Sequence, residues 1–225
     1  MKERFDLGLV KAGAGSSQIP VAFASCGEEK LVIIGDGACG KTSLLSVFTL
    51  GYFPTHYVSI LYSARVPTVF ENYVTDCRVD GRDVQLALWD TAGQEDYERL
   101  RPLAYAKANV ILIGFSVDEP ESLENVKEKW FPEAKDRCPD IPVILVALKK
   151  DLRGAADAIE EMRKKNRDFL QPDDGKEMMK IIGARQYKEC SSLTGEGVDD
   201  VFEAATRAAL LNVDGSDRSG CCVIL

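Results

Sequence analysis

The segment Gly35-Asp36-Gly37-Ala38-Cys39-Gly40-Lys41-Thr42 fits the pattern G-x-x-x-x-G-K-[ST]. Glycines at its ends let the backbone curl so that successive N–H groups face inward on an anion, and a following helix adds its positive N-terminus. In such a loop Lys41 can reach the β- and γ-phosphates of a nucleotide, and the Thr42 hydroxyl can bind Mg²⁺. The pattern has chance matches. Here it follows the apolar run Leu31–Ile34 and precedes the helically spaced Lys41–Leu50, which is the context the chemistry requires.

The elements that must position this loop read as an α/β fold. Tyr73–Val79 and Val84–Trp89 are expected strands, joined by the hairpin signal Asp80-Gly81. Val110–Val117 and Val143–Leu148 are apolar and nearly uncharged, as in strands covered on both faces. Ser122–Arg137, Glu160–Phe169, Gly175–Ile182 and Val198–Leu211 read as helices. Strands alternating with helices imply a mostly parallel sheet with one antiparallel edge hairpin.

Composition bounds the function. The chain has 225 residues, enough for one domain with extensions, and a net charge of −8, which argues against a general nucleic-acid binder. No apolar run reaches the roughly 18–20 residues that span a bilayer. The cysteines number seven, an odd count with no CxxC pair, and there is one histidine, His56, so a zinc site is not expected and free thiols in a reducing compartment are the simpler reading. Residues 1–27 read as a mobile extension. Its stretch Ile19–Cys26 is too short in apolar length for a lipoprotein signal.

Four further segments accompany the loop: Val66-Pro67-Thr68-Val69-Phe70-Glu71-Asn72-Tyr73, Trp89-Asp90-Thr91-Ala92-Gly93-Gln94-Glu95, Lys149-Lys150-Asp151-Leu152 and Cys190-Ser191-Ser192. In this order and spacing they resemble the Rho family of small GTPases, within the Ras superfamily. The run Tyr97–Tyr105 and the extra segment Ala155–Phe169 fit Rho rather than Ras, and the wording as a whole is similar to the fungal Rho proteins. The resemblance covers about residues 28–225. It implies a P-loop G-domain over 28–211 with a six-stranded sheet, a Rho-type insert helix at 155–169 and a variable tail at 212–225.

What the resemblance implies for each residue can be stated. Thr42 and Thr68 would ligate Mg²⁺ directly and Asp90 through a water. The Gly93 N–H would approach the γ-phosphate and order the following loop in the GTP state. Gln94 would orient the attacking water, with Lys41 and Gly93 as its catalytic companions. The Asp151 carboxylate would accept from guanine N1–H and N2–H₂, a pairing that adenine cannot offer. The Lys149 stem would lie along the base, the Ser192 N–H would meet guanine O6, and Phe53 would pack against the base edge. Ser43, Tyr57, Leu152 and Ser191 complete the expected nucleotide contacts. No arginine is obviously placed to act in cis on the γ-phosphate, so slow unaided turnover is expected, awaiting an activator's arginine.

Three departures stand out. Leu148 replaces an Asn or Thr usual in the family, and Leu193 replaces a common Lys, which could lower guanine affinity. Residues 59–66 interrupt the family's Tyr-Val-Pro-Thr run between Val58 and Pro67. Loop closure entropy grows only logarithmically with length, so a bulge could leave Thr68 in place. Two readings stay open: an expanded loop that alters partner choice, or, favoured here, a gene-model artefact, since eight residues keep the reading frame.

The cluster Arg163-Lys164-Lys165-Asn166-Arg167 is flanked by Glu160, Glu161 and Asp168, and reads as a solvated, salt-bridged helix face. The chain ends Cys221-Cys222-Val223-Ile224-Leu225, a C-a-a-X box in which the final Leu points to geranylgeranylation of Cys222. The preceding tail is not polybasic, so durable anchoring needs a second signal, for which Cys221 is a candidate palmitoylation site.

The resemblance further implies a monomeric switch that hydrolyses GTP to GDP on the cytoplasmic face of the plasma membrane, with a cytosolic pool. Its partners would be exchange factors, GTPase-activating proteins, a dissociation inhibitor and effector protein kinases, in the control of polarity, actin and wall synthesis. Two rivals are a lipid-anchored nucleotide-binding scaffold with impaired switching and an ATP-using P-loop kinase. Gln94 and Thr68 speak against the first, and Asp151 with the Asp-Thr-Ala-Gly-Gln run against the second.

Overall fold

A computed structural model describes residues 28–53, 70–93, 99 and 101–216. The expected residues Tyr57, Thr68, Gln94, Cys221 and Cys222, together with His56 and residues 59–66, lie outside the described residues.

Six strands form one sheet in the order β2-β3-β1-β4-β5-β6. They are β1 (Glu28–Gly35), β2 (Phe70–Val79), β3 (Arg82–Thr91), β4 (Val110–Ser116), β5 (Val143–Leu148) and β6 (Gln186–Glu189). All neighbours run parallel except β2 and β3. The hairpin turn between those two forms as expected: Asp80 and Gly81 both have positive φ, 52° and 78°, the conformation of a type I′ turn.

Strand alternation sends two sets of side chains to two cores. Leu31, Ile33, Leu86, Leu88, Leu112 and Val146 face helix α1 (Lys41–Leu50) and the C-terminal helix, on which Val201, Phe202, Ala205 and Ala209 are buried. Phe48 of α1 stacks on Phe202 at 3.7 Å between ring centroids. Val32, Ile34, Ile111, Ile113 and Leu145 face the other side, against Val126, Trp130, Ala134 and Ile182. Each fully buried aliphatic contributes about 1.5–3 kcal/mol, so the central strands are the stable frame on which the loops at their carboxyl ends are hung.

The remaining helices are α2 (Arg101–Tyr105), α3 (Pro120–Asn125), α4 (Phe131–Arg137), α5 (Ala156–Lys164), α6 (Pro172–Ile182) and α7 (Val198–Ser216). A π-helical turn at Val126–Trp130 joins α3 to α4. The expected helix Ser122–Arg137 is therefore present but starts at Pro120 and carries a π turn. The expected helix Glu160–Phe169 is shifted: it starts at Ala156 and ends at Lys164, because Asn166 adopts φ 51° and breaks the ladder. The helix expected from Gly175 starts at Pro172, where Gln171 and Asp174 form a reciprocal capping box. The C-terminal helix continues past Leu211 to Ser216. The sixth strand of the expected sheet, β6, carries no clear apolar run of its own, since all four of its residues are half-buried.

Candidate phosphate and guanine site

The site lies beyond the carboxyl ends of β1, β3, β4 and β5, at the point where strand order reverses between β1 and β4. Parallel α/β sheets bind ligands at this place. β1 runs into the phosphate loop at Gly35, whose φ is 143°. A Cβ at Gly35 would stand 2.2 Å from the Gly114 carbonyl oxygen of β4, so only glycine fits there. Ala38 (φ 59°) and Gly40 (φ 112°) also take left-handed conformations, which for Ala38 carries a steric cost. Gly40 caps α1 without a side-chain hydrogen bond, so the first N–H groups of α1 are left to serve an anion.

Lys41 is 5% exposed. Its Nζ donates to the Gly35 and Asp36 carbonyls at 2.8 and 2.7 Å, which stretches the amine over the loop. Asp36 points its carboxylate away from the loop interior. It accepts from Asn125 Nδ2 at 2.7 Å and from Trp130 Nε1 at 2.6 Å. Asp36 is thus available to a phosphate through its backbone, while its side chain ties the loop to the π turn. Cys39 is buried with its Sγ 3.8 Å from the Gly114 oxygen. Ser43 follows Thr42 on the first turn of α1.

Asp90 sits near the end of β3, opposite Ile33 of β1. The next residue, Thr91, donates its hydroxyl to the Ile33 carbonyl at 2.7 Å and pins this strand end. Asp90 is fully buried. Its Oδ2 accepts from the Thr42 hydroxyl at 2.5 Å, while its Oδ1 has no hydrogen-bond partner among the described residues. Burial pushes its carboxyl up to about 6, against the lowering effect of the Thr42 hydroxyl and the Lys41 charge. A buried, half-satisfied carboxylate beside a phosphate loop is arranged to receive a cation or its water.

Gly93 lies directly on the phosphate loop. A Cβ there would stand 2.4 Å from Gly35 O, Asp36 C and Gly37 N. Its N–H can therefore share an anion with the loop.

The base end is built from β5 and the loop after β6. Lys149 takes φ 59° and opens the 3₁₀ turn Lys150–Gly154, which holds Asp151 and Leu152. The Lys149 stem passes 3.9 Å from where a Gly40 Cβ would be, so it bridges the base end and the phosphate loop. Its Nζ pairs with Asp118 at 3.6 Å, and Ser116 hydrogen-bonds Asp118 in turn. Ser191 anchors the second loop: its N–H donates to Glu196 O at 2.9 Å and its Oγ accepts from Thr194 N at 3.1 Å. Ser192 follows it, half-buried. Lys150 N donates to Cys190 O at 3.1 Å and joins the two loops. Phe53 lies past the end of α1 and is half-buried.

Leu148 is buried at 1% exposure, and its Cδ1 would touch a Cβ on Gly114 at 2.9 Å. The apolar residue packs against β4 and α1, and its Cβ stands 3.9 Å from where a Gly40 Cβ would be, so it also backs the phosphate loop. Leu193, by contrast, is 61% exposed.

Several supporting residues carried no local sequence signal. Arg153 makes a bidentate pair with Glu189 at 2.8 and 2.9 Å and donates to Leu170 O at 2.7 Å, which holds the turn Lys150–Gly154 to β6. Burial alone would raise Glu189, but the Arg153 and Tyr187 hydrogen bonds more than offset it and hold the carboxyl low. Asp118, Asn125, Trp130 and Arg153 could be found only once the topology brought them to the loops. The basic cluster behaves as expected for a solvated face. Lys165 pairs with Glu161 at 2.6 Å, and Arg163 and Lys164 lie near Glu160. Arg167 instead reaches Glu119 and Glu121, before and at the start of α3.

Residues 30–211 match the family model described as the Ras family. The chain is 64% identical over 198 residues to the GTP-binding protein rho2 of Schizosaccharomyces pombe, covering 87% of this chain and 95% of that protein. It is 59% identical over 197 residues to the GTP-binding protein RHO2 of Saccharomyces cerevisiae, covering 87% and 96%. It is also 55% identical over 199 residues to the human Rho-related GTP-binding protein RhoB, covering 88% and 97%. The phosphate loop, the Asp90 strand end and the paired base loops are thus found in a chain that matches such relatives over most of their length, and the chain belongs to the Ras family of small GTPases, in its Rho branch, as a GTP-binding switch that hydrolyses GTP.

Proposed function

We propose that the chain is a membrane-anchored, Mg²⁺-dependent switch that hydrolyses GTP slowly unaided and is reset by exchange and activating factors. The observation that carries the reading is the Thr42–Asp90 pair, with Asp90 Oδ1 buried and unpartnered. Mg²⁺ favours a few hard oxygen ligands and keeps several waters. The Thr42 hydroxyl and a water held by Asp90 fit that demand, with Thr68 as a further ligand. When bound, Mg²⁺ would neutralise charge developing on the β- and γ-phosphate oxygens.

The chain's own groups do the rest. Loop N–H groups and Lys41 hold the phosphates. Gly93 N–H meets the terminal phosphate and Gln94 orients water. Asp151, Lys149 and Ser192 select guanine, with Phe53, Tyr57, Ser43, Leu152 and Ser191 around the nucleotide. Geranylgeranyl at Cys222, supported by palmitoyl at Cys221, supplies a plasma-membrane anchor without a basic patch. Exchange factors, activating proteins, a dissociation inhibitor and effector kinases are the partners, in the control of polarity, actin and wall synthesis. The scaffold alternative is not favoured, because the chain keeps Gln94 and Thr68, the residues that hydrolysis and switching need and nucleotide binding alone does not.

The test is Mg²⁺-dependent GTP affinity and single-turnover hydrolysis, with and without an activating protein, for the whole chain and for a version lacking residues 59–66. A switch gives tight Mg²⁺-dependent binding and stimulated hydrolysis. Binding without any hydrolysis in the whole chain, restored by the deletion, would return the scaffold reading.

A further inference from the structure

The buried Arg101 has a contact that its ion pair does not explain. Its side chain is 1% exposed. Nε and Nη2 donate to the two Glu133 carboxylate oxygens at 2.9 and 3.0 Å, and the Tyr105 hydroxyl donates to Glu133 Oε1 at 2.8 Å. The guanidinium lies 5.0 Å from the centre of the Trp130 ring. Nη1 turns elsewhere and donates to the Ala92 carbonyl at 3.4 Å.

The Ala92 carbonyl and the Gly93 N–H belong to one peptide plane. In a trans peptide they lie on opposite edges of a rigid unit. A cation beside the oxygen, even at this long distance, therefore biases the direction of the N–H and polarises it as a donor. The same cluster also grips the phosphate loop, since Trp130 Nε1 donates to Asp36. Gly93 rests on that loop at residues 35–37. One buried assembly thus sets both the loop and the peptide that faces it.

We propose that Arg101 is a positioning residue that fixes the plane of the Ala92–Gly93 peptide, aims the Gly93 N–H at the terminal phosphate and so sets the preference for GTP over GDP. This rests on the reading of Gly93 given above. A buried ion pair is weak evidence of stability by itself, because apolar replacements often serve as well. The third contact, to a backbone carbonyl beside Gly93, is what gives the arginine fork a task that an apolar pair could not do.

The experiment compares the whole chain with Arg101→Lys, which keeps the charge and loses the fork, and with Glu133→Gln, which loosens the guanidinium. Affinities for GDP and for a nonhydrolysable GTP analogue are measured with Mg²⁺, together with the Gly93 amide ¹H–¹⁵N signal in both states. The analogue should bind about tenfold more weakly to the variants, as for the loss of one charge-assisted hydrogen bond. GDP affinity should change less than about twofold, and the Gly93 signal should differ less between the two nucleotides. Equal loss for both nucleotides, or unchanged selectivity, would show a merely structural ion pair and overturn the proposal. A wild-type Gly93 signal indifferent to the nucleotide would instead defeat the reading of Gly93, and the inference with it. Glu133→Gln is the milder change and decides the matter alone should Arg101→Lys not fold.

Discussion

The Thr42 hydroxyl and Asp90 Oδ2 meet at 2.5 Å although 48 residues separate them. Parallel pairing of β1 with β3 makes this possible: Ile33 is opposite Asp90, and the loop after β1 returns Thr42 to the same end of the sheet. The price of the arrangement is one buried carboxylate oxygen with no partner among the described residues.

Asp90→Asn is expected to separate folding from ligand binding. The nucleotide-free protein should become more stable, since a buried charge is removed. Mg²⁺ should then strengthen GTP binding at least tenfold less than in the wild type. Thermal melts and nucleotide titrations with and without EDTA check both. A variant as Mg²⁺-dependent as the parent would refute the role of Asp90.

Asp151→Ala should weaken GTP binding by about 1.5–3 kcal/mol, the range for hydrogen bonds to a charged group. ATP binding should not improve. Competition of labelled GTP by unlabelled ATP measures this. An unchanged GTP affinity would move base recognition away from the turn Lys150–Gly154.

Leu148→Asn restores the residue type usual at this position, yet the side chain is buried against Gly114. Losing apolar volume and burying an amide should cost about 2–4 kcal/mol in the nucleotide-free protein. A denaturation midpoint equal to the parent's would mean that the Leu148 side chain is not packed as described.

Glu29 on β1 is 4% exposed, and its Oε2 has no partner among the described residues. Burial raises its carboxyl above the ordinary 4.5. The folded state then holds this proton more tightly than the unfolded state. Its contribution to stability is therefore present below about 4.5 and is lost as pH rises through the raised folded value. Glu29→Gln should melt a few degrees higher than the parent at pH 7, at roughly 2–4 °C per kcal/mol for a chain of this size. The gain should vanish near pH 4. A gain that grows on acidification would reverse the sign and exclude this account.

How much of this could be read beforehand depended on the range of the signal. Strand β5 and helix α1 have the boundaries expected, Val143–Leu148 and Lys41–Leu50, because their apolar patterns are local and uninterrupted. The role expected of Asp151 came from the family resemblance, whereas the phosphate loop was legible because its backbone curl fixes residue types at fixed spacing. Strand β6 was not, since an edge strand with a half-buried face lacks an apolar run. Helix α6 begins before Gly175 because Gln171 and Asp174 cap it and Pro172 opens it, while at Gly175 itself the Tyr187 ring leaves no room for a Cβ. The supports of the site were the least legible. Nothing near Arg101 in sequence announces Glu133, and nothing near Asp36 announces Trp130.

Helix α7 runs for 19 residues, roughly 28 Å at 1.5 Å per residue. Its first turn follows the loop that carries Ser191, and farther along it Arg207 grips Asp80 in the β2–β3 turn with two bonds of 2.8 Å. The helix is therefore a strut braced at both ends of the sheet. A load applied to the chain beyond Ser216 would meet the buried apolar face of α7 and the exposed Arg207–Asp80 pair before the loop that carries Ser191. Most of that resistance would come from Val201, Phe202, Ala205, Ala208 and Ala209, since an exposed pair such as Arg207–Asp80 contributes only about 0–1 kcal/mol.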